Sequence, residues 1–170
     1  MAVRVAANLI VGRDGATSFG GTSSGLSFPA DRARFHQLRQ EFNAILIGGN
    51  TARHEPYATT PLPLIVLSHG PLPARLEGNQ NAVAWELPLT EAVSRATAEF
   101  GDLLFESGAR LLKEAISEGL IQELFLTISE KVGGEDLINP LDLTNGAIEI
   151  SSEVLEGGQF LHYRLAPSHL

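Results

Sequence analysis

Four short segments hold the residues that could do chemistry. One, "GGNTARHEP" (residues 48–56), follows the apolar run Ala44-Ile45-Leu46-Ile47. Glycines at such a point suit a tight turn or a close approach of backbone to a ligand. Asn50 and Thr51 suit the N-cap of a short helix, whose free N–H groups attract anions. An ordinary strand-to-helix loop uses the same residue types, so the segment alone leaves both readings open. "LIVLSHG" ends another apolar run in Ser68-His69, and "LLFESGARLL" ends a third in Glu106-Ser107-Gly108. There Ser107 can cap the helix that follows, the Gly108 backbone can approach a ligand, and Arg110 falls in the first turn. A phosphate at that point would meet N–H donors and a guanidinium together. The fourth segment is "GRDGAT", residues 12–17, which carries Asp14.

Other chemistries find no support. The chain lacks the G-x-x-x-x-G-K-[ST] phosphate loop and the G-x-G-x-x-G dinucleotide fingerprint, and "GGTSSG" at 20–25 is too loose for either. The histidines, His36, His54, His69, His162 and His169, show no H-x-H or H-E-x-x-H spacing, so no metal site is expected. No G-x-S-x-G elbow exists. His36, beside Phe35, reads as a helix-surface or interface residue, and Trp85 and Tyr163 as core or edge residues.

Those segments must be held by something. Apolar runs rich in β-branched residues occur at 3–11, 44–47, 64–67, 82–85, 103–105, 124–128, 147–150 and 160–165. Helical spacing separates several of them. Residues 30–42 put Phe35, Leu38 and Phe42 on one stripe, with Arg32, Arg34, Arg39 and Glu41 outside. Residues 89–100 align Leu89, Val93, Ala96 and Phe100; residues 107–118 align Leu111, Leu112, Ala115 and Ile116 and stop at Gly119. Strands alternating with helices predict a largely parallel sheet with covering helices. The last two runs, joined through Glu156-Gly157-Gly158, predict an antiparallel hairpin at the sheet edge. Ligands of such sheets bind beyond the carboxyl ends of the strands, where all four segments fall.

Composition bounds the rest. With 170 residues the chain fits one domain with a sizeable core. A net charge of −8 argues against nucleic acid and anionic membrane surfaces as partners, but not against a small phosphorylated ligand that responds to a local field. Arg53, Arg75 and Arg110 could supply that field. The absence of cysteine excludes disulfides and thiolate metal sites. No stretch approaches a membrane span, and the N-terminal apolar segment lacks a signal-peptide cleavage site, so a cytoplasmic location is the expectation.

Taken in order, "ANLIVGRDGAT", "DRARFHQLR", "AILIGGNTARHEP", "LIVLS" and "ESGARLLKEAISEGLIQELFLTISEKVGG" resemble the reductase domain of riboflavin biosynthesis, over nearly the whole chain. That family is similar in fold to dihydrofolate reductase and reduces a ribosylamino-pyrimidine phosphate with NADPH. The resemblance implies a three-layer α/β/α domain over residues 1–170, without the zinc deaminase domain many relatives carry, and a homodimer. It implies that Gly49, Asn50, Thr51 and Arg53 serve NADPH, with Thr51 near its phosphates. Ser68 would lie near the adenosine 2′-phosphate, and Ser107, Gly108, Ala109, Arg110 and Leu111 would cradle the pyrophosphate. Asn8, Asp14, Ser27, Glu55 and Glu106 would face the substrate, with Glu55 and Glu106 handling protons or orienting the ring-opened sugar imine.

There are departures. The family's S-x-D-G-K reads Gly12-Arg13-Asp14-Gly15-Ala16, so the lysine that would meet the substrate's polar end is missing. Glu-Gly-Gly has become Glu106-Ser107-Gly108, and an aromatic position before the first helix falls near Gly25. Two alternatives follow. "FPADRARF" is similar to the dihydrofolate reductase segment whose aspartate holds the pterin, which would give Asp31 that role; Asp31 also suits a helix N-terminus on charge alone. The lost lysine equally suits a non-catalytic nucleotide-binding paralogue.

Overall fold

The computed structural model describes residues 2–167, so His169 lies outside the described residues. Its sheet has eight strands: β1 (Val5–Gly12), β3 (Ala44–Gly48), β4 (Leu64–Leu67), β5 (Ala82–Trp85), β6 (Leu103–Phe105), β7 (Glu123–Ser129), β9 (Ile148–Leu155) and β10 (Gly158–Arg164). The order across it is β5-β4-β3-β6-β1-β7-β10-β9. The first six of that order are parallel to one another, and β10 runs antiparallel to both β7 and β9. The helices are α1 (Pro29–Arg39), α2 (Gly49–His54), α3 (Leu89–Phe100), α4 (Ala109–Ser117) and the short α5 (Leu141–Thr144).

Three layers follow from the alternation of side chains along each strand. On β1, Val5, Ala7, Leu9 and Val11 join the core beneath α3 and α4, while Ala6 faces the opposite side with Leu38 of α1. On β3, Ala44 and Leu46 take the first face and Ile45 and Ile47 the second, against Ala52 of α2. Strands covered on both faces read as continuous apolar runs, which is why the parallel strands were legible.

The hairpin prediction holds, with a turn at Glu156-Gly157. Within it, β10 is an inner strand that buries Leu161, whereas Ile148, Ile150 and Val154 of the edge strand β9 are exposed. A two-stranded ribbon of β2 (Ala16–Ser18) and β8 (Glu135–Leu137) was not anticipated. Its strands are three residues each and largely polar, too short to show a period. Among the described residues no helix is long and apolar enough to cross a membrane.

Candidate active site

The carboxyl ends of β1, β3 and β6 open onto a cavity of about 690 Å³. At its floor sits Glu106, the residue after β6, with its side chain 2% exposed. Its Oε1 accepts the Arg39 Nε–H at 2.9 Å, and its Oε2 accepts the Arg39 Nη2–H at 2.8 Å and the Tyr57 hydroxyl at 2.6 Å. A two-pronged arginine and a phenol thus answer a carboxylate removed from water, which otherwise costs several kcal/mol. Burial alone would lower the Arg39 pKa, but the hydrogen bonds and charge of Glu106 raise it beyond its ordinary value. Burial, followed by the nearby Glu106 charge, pushes Tyr57 well above its ordinary value and keeps it a donor.

Arg39 and Tyr57 are the residues that sequence reasoning missed. Arg39 was expected on the outer face of its helix. Instead it passes over the Phe35 ring, 4.2 Å from its centroid, to reach a partner 67 positions along the chain. Helical periodicity reports the apolar stripe and says nothing of where a long charged side chain folds back. Two signals stood in the sequence: a glutamate directly after a buried strand, and an arginine at the end of an amphipathic helix.

Beside the floor, α2 and α4 start close together. Neither helix has a side-chain cap of its own. Asn50 and Thr51, expected as a cap, lie inside α2, which follows Gly48. Ser107, expected to cap α4, precedes the actual N-cap residue Gly108, and its hydroxyl makes only a long contact, 3.4 Å, with the Gly108 carbonyl. The cross-link comes from Thr51, whose Oγ1 accepts the Gly108 N–H at 3.1 Å. A hydroxyl that accepts one hydrogen bond keeps its own proton to donate. Space beside Gly108 is open, since an added Cβ would meet only that Oγ1 within 4 Å, at 3.9 Å. An open backbone, an uncapped helix start and a hydroxyl fit a phosphate-bearing ligand.

The remaining expected residues divide among three places. Asn8, Ser27, Asn50, Glu55 and Ala109 border the large cavity together with Thr51, Glu106, Ser107 and Gly108. Glu55 accepts the Ser23 N–H at 2.7 Å. Gly49, Arg53 and Ser68 border a second cavity of about 480 Å³ at the ends of β3 and β4, where Asn50 appears again. There the Arg75 guanidinium donates to the Arg53 carbonyl.

Asp14, Arg110 and Leu111 border neither cavity. The Asp14 carboxylate accepts the N–H groups of Gly133 and Ala16, at 2.8 and 3.2 Å, and those bonds lower its pKa. It pins the β1–β2 turn, where Gly15 has φ +90° and packs under the Ile138 carbonyl. Arg110 is exposed away from the cavity, and Leu111 packs on the core beneath α4. About 100° of helix per residue turns both side chains away from Ala109, the residue of that turn that borders the cavity. Two residues outside the expected set also matter. Asp31, in the first turn of α1, is buried at the cavity and accepts the Ser27 hydroxyl at 2.6 Å. His36 is an exposed helix residue, as expected, but one on the cavity rim.

The fold is a dihydrofolate reductase-like α/β fold with a cavity at the carboxyl ends of its strands. The chain belongs to the RibD C-terminal domain family, whose model matches residues 4–150. Among solved structures it resembles a pyrimidine reductase-like protein from Corynebacterium diphtheriae, with TM-score 0.76 and 19% identity over 96% of this chain and 92% of that one. It also resembles RibD from Acinetobacter baumannii, with TM-score 0.78 and 15% identity over 97% of this chain and 58% of that longer one. Dihydrofolate reductase from Enterococcus faecalis, complexed with NADP(H) and RAB-propyl, follows with TM-score 0.68 and 17% identity, covering 95% of each chain. No curated protein matches the sequence significantly.

Proposed function

We propose that the chain is an NADPH-dependent reductase acting on 5-amino-6-(5-phosphoribosylamino)uracil, the substrate named for a Thermotoga maritima relative of the same fold, or on a closely related ribosylamino-pyrimidine phosphate in riboflavin biosynthesis. One observation carries the reading. Two cavities that share Asn50 as a lining residue lie side by side, one reaching Ser68 and the other Glu106 and the start of α4, an arrangement suited to a dinucleotide with a second ligand beyond it. Bound NADPH would supply a hydride for the ring-opened sugar imine.

In this reading the chain's own residues do the remaining work. Ser68 and Arg53 meet the adenosine 2′-phosphate, and Gly49 lets the backbone pass close by. Thr51 and the first N–H groups of α4 hold the pyrophosphate. Glu106, whose two oxygens already accept three hydrogen bonds, is held rigidly with Arg39, and the pair orients the pyrimidine. Glu55 handles the proton, and Asn8 and Ser27 position polar groups of the substrate.

Buried Asp31 favours a second reading, in which the cavity takes a dihydropterin ring against that carboxylate. Following NADPH oxidation with the pyrimidine phosphate and with dihydrofolate separates the two. Turnover of neither, with NADPH bound, marks a nucleotide-binding paralogue. NADPH is expected to bind more tightly than NADH by ~1.5–3 kcal/mol, the scale of a hydrogen bond to a charged group. Equal dissociation constants would remove the 2′-phosphate assignment. We also assign a homodimer, with the exposed apolar residues of β9 as the covered edge. A monomer by light scattering at micromolar concentration would overturn that.

A further inference from the structure

The position where the family motif has a lysine is Ala16, whose side chain is fully buried and uncharged, and Arg13 of the same turn borders neither cavity. The large cavity is bordered by more acids than bases, yet two of its bases stand unanswered. Arg39 is committed to Glu106, and His54 is tied through Nδ1 to the Asn50 carbonyl at 2.8 Å. Arg32 and His36 remain. They lie four residues apart on α1, hence on one side of the helix, and both are exposed on the cavity rim. Among the described residues no carboxylate lies within the 4.0 Å ion-pair distance of either.

Most acids facing the same space are already supplied with donors. Glu135 of β8 accepts the Ser18 hydroxyl and the N–H groups of Gly20 and Gly21. Asp31 accepts Ser27, and Glu55 accepts Ser23. Asp136 of β8 is the exception, and it stands beyond ion-pair range of both bases. Seven residues of helix separate Arg32 from Arg39, about 10 Å along the axis. That span is comparable with a pentose chain carrying a heterocycle at one end and a phosphate at the other.

Resting on the proposed function, we propose that Arg32 and His36 form the anion subsite that receives the substrate's phosphate monoester, in place of the lysine this chain lacks. The heterocycle then lies toward Arg39 and Glu106, with the sugar chain running along α1. The subsite moves the cation from the β1–β2 turn to a helix face and ties phosphate recognition to α1.

Calorimetric titration of ribose 5-phosphate and of ribose into the NADP⁺-loaded protein tests the subsite without turnover. Ribose 5-phosphate is expected to bind more tightly than ribose, and the Arg32→Gln/His36→Gln variant to lose at least about tenfold of that affinity with NADP⁺ binding retained. Equal binding of ribose 5-phosphate by the two proteins, or none by the wild type, overturns the subsite. In steady state the same variant raises KM for the pyrimidine phosphate far more than it lowers kcat. A wild type that binds ribose 5-phosphate through these residues but does not turn over the pyrimidine would refute the proposed function and leave the subsite standing.

Discussion

Two charge clusters sit at opposite ends of the same parallel strands. At the carboxyl ends, Arg39, Glu106 and Tyr57 are buried, the ion pair being 10% and 2% exposed. At the amino ends, Arg4 just before β1 meets Glu123 at the start of β7, with Nε–H to Oε1 at 2.9 Å, and His162 of β10 approaches the same carboxylate at 2.8 Å. That cluster is 20–38% exposed. Both join residues distant in sequence, with similar chemistry and distances. They differ in what surrounds them. Helices α2 and α4 begin at the carboxyl ends beside the cavities, whereas Arg4, Glu123 and His162 border neither cavity. A charge pair lining a cavity in low dielectric can orient a ligand; a partly exposed one away from any cavity mainly ties the strand ends together.

Arg39→Leu is the sharpest way to break that contrast. Removing the guanidinium leaves Glu106 buried with Tyr57 as its remaining donor, and a stranded buried charge costs ~3–5 kcal/mol. The urea midpoint should fall accordingly, and substrate orientation should go with it. A loss no larger than that of Arg4→Ala would make the two clusters equivalent and end the distinction.

Thr51→Val probes the wall of the cleft next to the buried cluster. The hydroxyl both receives the Gly108 N–H and has a proton to offer a phosphate. The variant is expected to lose ~1 kcal/mol of stability through the uncapped N–H, and NADPH affinity by a further ~1–2 kcal/mol. Lowered stability with unchanged NADPH affinity would reduce Thr51 to a tie between two helices.

The smallest effect belongs to the outer cluster. Arg4→Ala should cost no more than ~1 kcal/mol, less at high salt, as for other solvent-exposed pairs. Its sign with pH is nevertheless defined. Burial raises the Glu123 pKa, but the hydrogen bonds and charges of Arg4 and His162 outweigh it and hold the carboxyl below its ordinary 4.5. A depressed carboxyl contributes stability that is present above the ordinary value and is lost as pH falls through the lower, folded one. Denaturation midpoints measured on descending from pH 6 should therefore converge for wild type and Arg4→Ala; a gap that widens in acid would reverse the assignment.

The sequence by itself determined the layered α/β plan. The runs 64–67, 82–85 and 103–105 and the helix 89–100 coincide with β4, β5, β6 and α3. A strand buried on both faces must be apolar throughout, and a helix covering it must be apolar on one stripe, so composition along the chain carries the answer. Of the residues the motifs single out, Asn8, Ser27, Asn50, Thr51, Glu55 and Glu106 border one cavity. What the tertiary structure alone decided is which polar groups meet. Arg39 turned inward to Glu106, Thr51 rather than Ser107 received the Gly108 N–H, Asp14 was spent on a turn, and Arg110 was rotated out of the cleft. Local patterns record whether a side chain must leave water. Its partner, 57 to 119 positions away in these bonds, is set by how the chain crosses itself, and no short-range period encodes that.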